Sequence, residues 1–106
     1  MKAAKRKRLE QAGWRVGSAE DFLGLSKEEQ ALVEIKLALA DAVKRQREKH
    51  HLSQSALAAR MRSSQSRIAK IEAGDPSVSL DLLVRAVLAA GASKKELAKA
   101  LAAASQ

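Results

Sequence analysis

"LSQSALAARMRSSQSRIAKIEAG", Leu52 to Gly74, carries two short apolar patterns separated by a polar break. Ser53 is a helix N-cap candidate, and Leu57, Ala58 and Met61 after it give a helix of two turns. Arg62, Ser63 and Ser64 interrupt that pattern. A second short helix then runs to Ala73, closed by Gly74 and by Asp75-Pro76, which cannot continue a helix. Inside it Ile68 and Ile71 sit three apart and share one face, leaving Gln65, Ser66, Arg67, Ala69 and Lys70 on the rest of the surface. This helix is thinly anchored and displays hydrogen-bonding and cationic side chains. No carboxylate precedes Glu72, so the displayed face suits a polar anion better than the apolar groove of another protein.

The flanking sequence is also helical. Ser26 with Glu29 has the spacing of a capping box, and from Lys27 to about His50 there is neither glycine nor proline. Leu32, Ile35, Leu39 and Val43 mark one apolar stripe along this run, which would span about 36 Å if unbroken. That exceeds what a small domain needs, so one end is expected to project, bend or pack against a second copy. Before it, Ser18 with Asp21 opens a short helix that Gly24 ends. After the central stretch, Ser79 caps a helix holding Leu82, Leu83, Val84 and Val87, and Gly91 terminates it. Ser93 with Glu96 opens a last helix, with Leu97 and Leu101 expected in the core. There is no internal repeat and no strand pattern.

Composition agrees with an all-α reading. Of 106 residues 46% are hydrophobic but only 2% aromatic, alanine and leucine dominate, and there is a single proline. Such a length fits one core. The expected architecture is a compact helical bundle with a long first helix and an N-terminal extension, divided as 1–26 (basic arm and short helix) and 27–106, with the central motif at 52–74. The formal charge is +8. Between Lys44 and Lys70 eight basic residues stand against the single acid Glu48, so much of that charge gathers around the central motif. Residues 2–8 hold five more basic groups and no acid, and read as a mobile arm or a frayed helix start. Without cysteine, disulfides and thiolate metal sites are excluded. Neither a signal peptide nor a membrane span is expected.

Two short helices joined by a tight turn are what a helix-turn-helix requires: the first braces, and the second lies in the DNA major groove with its N-terminal side chains at the base edges. Close crossing of the pair needs a small residue on the first helix, and Ala58 supplies it. The segment from Leu52 to Gly74 resembles the helix-turn-helix of the Xre and lambda-like phage repressors, at Leu52, Gln54, Leu57, Ala58, Ser64, Gln65, Ile68, Ile71, Glu72 and Gly74. The likeness continues through "PSVSLDLLVRAVLAAG" to Gly91. Members usually carry glycine at the position of Arg62, where the first helix ends in a left-handed conformation. A side chain there costs roughly 1 kcal/mol, so either the turn differs or Arg62 is retained for a phosphate contact.

The resemblance implies roles for individual residues. Gln65, Ser66 and Lys70 are expected at base edges, and Arg67 at bases or phosphates; glutamine suits adenine, and lysine or arginine suits guanine. Gln54 is similar to the family's phosphate-binding glutamine, at a helix N-terminus where free N–H groups face an anion. Ser64 is expected chiefly as the N-cap of the second helix, and is counted with the phosphate-binding residues at that helix start. Lys44, Arg60 and Arg62 are candidates for phosphate neutralisation. Arg47 and Glu72 occupy positions where related repressors place a partly buried ion pair, and are assigned to structure.

The expected function is therefore a sequence-specific DNA-binding regulator, a repressor acting on operator DNA as a homodimer in the cytoplasm, with no enzymatic activity and no cofactor. Upstream, "FLGLSKEEQALVEIKLALADAV", Phe22 to Val43, resembles the segment preceding the same motif in HigA-class antitoxins. The alternative is accordingly an antitoxin that neutralises a toxin protein and autoregulates its operon. His50 and His51 are adjacent, point about 100° apart on a helix and lack a second ligand pair, so no metal site is assigned. Trp14 and Phe22 are expected to clamp the N-terminal segment onto the bundle. No catalytic constellation or phosphate-binding glycine loop is present.

Overall fold

In a computed structural model, which describes residues 24–104, the described residues form five helices. They are α1 (Lys27–Lys49), α2 (Gln54–Arg60), α3 (Gln65–Glu72), α4 (Leu80–Ala89) and α5 (Lys94–Ala103). No strand occurs among the described residues. The expected basic arm, the Ser18–Asp21 helix start and the clamp by Trp14 and Phe22 lie outside them.

Every helix begins on a serine in extended conformation whose Oγ accepts a backbone N–H three residues on: Ser26, Ser53, Ser64, Ser79 and Ser93. Each satisfies one of the donors that a helix start leaves unpaired. At Ser26 and Ser93 the bond is returned by Glu29 and Glu96, closing a full capping box. The five starts stand where the serine signals place them.

The first four helices end alike. In each, the N–H one residue past the cap donates to the carbonyl three back, and the next N–H to the carbonyl five back: His51 to Glu48 and Leu52 to Arg47, Arg62 to Ala59 and Ser63 to Ala58, Gly74 to Ile71 and Asp75 to Lys70, Gly91 to Leu88 and Ala92 to Val87. This double closure requires a left-handed residue just past the cap. Gly74 (φ 76°) and Gly91 (φ 115°) fill that place without a Cβ, whereas His51 (φ 56°) and Arg62 (φ 52°) fill it with one. Arg62 therefore keeps the turn in its ordinary form and absorbs the strain. Replacing Arg62 by glycine is expected to raise stability by about 1 kcal/mol, or about 4–8 °C in Tm for a domain of this size. Thermal melts of the two proteins check this, and an unchanged or lower Tm contradicts it. At Gly91 a second constraint operates, because a Cβ would lie 2.5 Å from Cδ2 of His50. The His50 ring thus covers the end of α4.

The core gathers the buried faces of all five helices. Leu39, Val43, Leu57, Ile68, Ile71, Leu83 and Val87 are almost wholly excluded from solvent, and alanines 40, 42, 58, 86, 90 and 100 are buried with them. Long α1 is the spine against which α3, α4 and α5 pack, while α2 packs on α3 and α4. Polar ties reinforce it: Lys36 Nζ donates to the Pro76 carbonyl at 3.0 Å, and Gln46 Nε2 and Lys49 Nζ reach Glu96 Oε2 at 2.9 and 3.0 Å. The Ser93 backbone N–H first, and then these two donors, hold the Glu96 carboxyl down to about 2.

Two expected core residues are displaced. Leu32 is 45% exposed while its neighbour Val33 is buried, and Leu101 is 40% exposed while Ala100 is buried. One position around a helix is a rotation of about 100°. In α5 the inward face runs through Glu96, Leu97 and Ala100, so a methyl group takes the position facing the core and the leucine turns aside.

Candidate nucleic-acid interface

The two central helices pack on each other, and Ala58 of α2 is buried in the core at 3% exposure. Helix α3 is eight residues long, and its buried side chains are Ile68 and Ile71. With those two turned inward, Gln65, Ser66, Arg67 and Lys70 are all exposed, as the spacing of the isoleucines requires. The four proposed base readers thus share one open surface. Ser64 caps the helix, its Oγ accepting from the Arg67 N–H at 3.2 Å and lying 3.2 Å from the Ser66 hydroxyl.

Beside the start of α3 lies an open depression of about 430 Å³ whose rim includes Ser64, Ser66, Arg67, Lys70, Ser77 and Ser79. Four hydroxyls, two cations and the N-termini of α3 and α4 border it, a lining that matches an anionic backbone. Ser77 was not singled out in the sequence, and Ser79 only as a helix cap. Ser77 donates through both its N–H and its hydroxyl to Asp75 Oδ1, at 2.8 and 2.7 Å, and these bonds, with Lys70 and Lys36 nearby, hold the Asp75 carboxyl below its usual range.

Behind the other edge of α3 runs a chain of hydrogen bonds. Arg47 Nε and Nη2 donate to Glu72 Oε2 and Oε1 at 2.6 and 3.0 Å, and Arg47 Nη1 donates to the Leu52 carbonyl at 2.8 Å. The side chains are 13% and 5% exposed, so the pair is largely withdrawn from solvent. The bond to Glu72 holds the Arg47 guanidinium above its ordinary value despite the burial. Glu72 Oε1 also accepts from Gln54 Nε2 at 3.2 Å, and Gln54 Oε1 accepts from Gln65 Nε2 at 2.6 Å. Gln54 is therefore joined to α3 at both ends of its amide, with one amide hydrogen left over.

The phosphate candidates differ in their surroundings. Lys44 and Arg62 are exposed, whereas Arg60 Nη1 donates to the Ala89 carbonyl at 3.1 Å, tying α2 to the end of α4. Nothing in the sequence signals that bond, since its partner is a backbone oxygen 29 positions away. Among the described residues no group of three or more His, Cys, Asp or Glu is placed to hold a metal ion, and no helix is long and apolar enough to cross a membrane.

A family model described as helix-turn-helix matches residues 43–97, slightly more than half of the chain. The matched span takes in α2 through the first turn of α5, and includes Arg47, Gln54, Gln65 and Glu72. It begins at Val43, the last residue of the segment that resembles HigA-class antitoxins, and so lends that resemblance no support. No curated protein and no solved structure matches the chain.

Proposed function

The chain belongs to the helix-turn-helix family of DNA-binding proteins, in its Xre and lambda-repressor-like branch, and from that premise we propose that it is a repressor binding operator DNA as a homodimer. The observation that carries this reading is the joint exposure of Gln65, Ser66, Arg67 and Lys70 on α3, with the helix held from behind by Ile68 and Ile71. Seated in a major groove, Gln65, Ser66 and Lys70 read base edges and Arg67 reads bases or an adjoining phosphate. Gln54, the hydroxyl-lined start of α3 at Ser64, and the exposed cations Lys44 and Arg62 take up the backbone. Arg60 serves first as a tie to α4 and adds positive charge beside it. An eight-residue reading helix touches few bases, so two copies on half-sites about 10 base pairs apart, or a multiple of that, are needed to select one site. The role is binding without chemistry, in the cytoplasm, and domain 27–106 carries it.

Selection of bound fragments from a random duplex pool tests the reading. The wild-type protein should return a site with two related halves. Gln65→Ala should relax one position in each half by about 1–3 kcal/mol, while Lys44→Ala weakens all sequences alike and lowers the salt dependence by about one counterion. Equal losses on selected and random duplexes for both variants would show that α3 does not read sequence.

A further inference from the structure

We infer that residues 1–23 fold back as a cover over the outer side of α1, with Trp14 and Phe22 seated on Val33 and Leu37 of the same chain. The cover stands apart from the DNA-binding reading and is tested without DNA.

The starting observation is a mismatch between burial and packing. Val33 and Leu37 are each 6% exposed, yet neither belongs to the core cluster that α1 shares with the other helices, nor to the partly buried side chains packed against it. Residues three or four apart share a helix face, so Gln30, Val33 and Leu37 form a row turned well away from Leu39 and Val43, which point into the core. Something other than the core hides that row. The incoming chain is already directed there: Gln30 Nε2 donates to the Leu25 carbonyl at 3.1 Å, drawing the segment before Ser26 toward the same side of α1.

Length and composition select the occupant. Trp14 stands ten residues before Gly24 and Leu37 ten residues after Lys27, each about 15 Å at the helical rise. A segment laid back along α1 therefore brings Trp14 level with Leu37 and leaves Phe22 nearer the helix start, toward Val33. These two are the only aromatic residues of the chain, and both fall in this segment. Beside the apolar row stand two half-buried acids, Glu34 and Asp41, seven residues apart on one flank. Residues 2–8 carry five basic groups and no acid, and the same rise sets Arg8 about 24 Å back from Gly24, beside Asp41 at about 21 Å along α1. An apolar row flanked by carboxylates is what a basic segment with large apolar side chains fits.

Trp14 is the only tryptophan, so its fluorescence in the full chain reads the cover directly. The emission should be blue-shifted from that of the urea-unfolded protein and several-fold less quenched by acrylamide. Leu37→Asp should abolish most of both differences while thermal melts still show a folded bundle, because Leu37 lies outside the core cluster. Leu37→Ala is the milder companion, expected to fold and to raise quenching part of the way. Glu34→Lys combined with Asp41→Lys should raise quenching at low salt and by less at high salt, where the charges are screened. A wild-type emission like that of the unfolded chain overturns the cover, as does quenching that stays unaltered in folded Leu37→Ala and in the double lysine variant. A second copy is the rival occupant. Isotope-labelled and unlabelled chains, unfolded together and refolded as a mixture, distinguish it: nuclear Overhauser contacts between Trp14 and the Leu37 methyls should lie within one chain. Contacts found only between chains would assign the face to a second copy and overturn the inference.

Discussion

Replacing Glu72 by alanine is expected to lower the stability of the protein by about 3–5 kcal/mol, a large part of the 5–15 kcal/mol that typically separates folded from unfolded domains. The size follows from what is left behind. The Arg47 guanidinium would keep its bond to the Leu52 carbonyl but lose both carboxylate acceptors at 13% side-chain exposure, where water replaces them poorly. Gln54 would lose its acceptor as well. An exposed pair would behave differently, since the median for surface ion pairs is about 0–1 kcal/mol. Urea unfolding of Glu72→Ala decides between these cases. A loss below 1 kcal/mol would mean that the pair is effectively solvated. The double variant Arg47→Met with Glu72→Leu should recover most of the loss, because the cost lies in the stranded charge more than in the missing attraction.

The second large effect is expected at Ile68. Truncation to alanine at a fully buried isoleucine costs about 2–5 kcal/mol, through the lost transfer free energy and the cavity left behind. Its consequence for binding should exceed what stability alone implies. Helix α3 has eight residues, too few to persist without packing, and Ile68 and Ile71 are the buried side chains that hold it. Ile68→Ala should therefore reduce both the urea midpoint and the discrimination between selected and random duplexes, even at temperatures where far-UV circular dichroism shows the bundle largely helical. Gln65→Ala is the counterpart, relaxing discrimination while leaving the midpoint within about 0.5 kcal/mol, as exposed polar substitutions usually do. Wild-type discrimination in folded Ile68→Ala would show that contacts outside the two isoleucines fix the reading helix.

These two residues differ in how far they could be read from the sequence. Ile68 and Ile71 identify themselves by spacing, and their outward neighbours Gln65, Ser66, Arg67 and Lys70 follow from the same three-residue interval. The Arg47–Glu72 pair was legible only by resemblance, because a bond between residues 25 apart leaves no periodic trace. Arg62 was recognised as standing where glycine is usual, yet whether the turn would shift or strain was open until the left-handed backbone angle was seen. Leu32 was expected inside as part of the stripe with Ile35, Leu39 and Val43, and Leu101 as a core residue of the last helix beside Leu97. The Gln54–Gln65 bond had no sequence signal: each glutamine was read as facing DNA, and their mutual contact joins residues 11 apart on different helices.

What the sequence by itself determined is where each described helix starts and, for four of them, where it turns. Those events are bonds between a side chain or backbone group and partners three to five residues away, at Ser26, Ser53, Ser64, Ser79 and Ser93 and again around Gly74 and Gly91. Tertiary structure alone decided which side of α1 and α5 faces inward and which way the amides of Gln54 and Gln65 point. Helices approach closest where small side chains meet, and an amide takes its sense from whatever acceptor packing brings beside it, so neither depends on sequence neighbours.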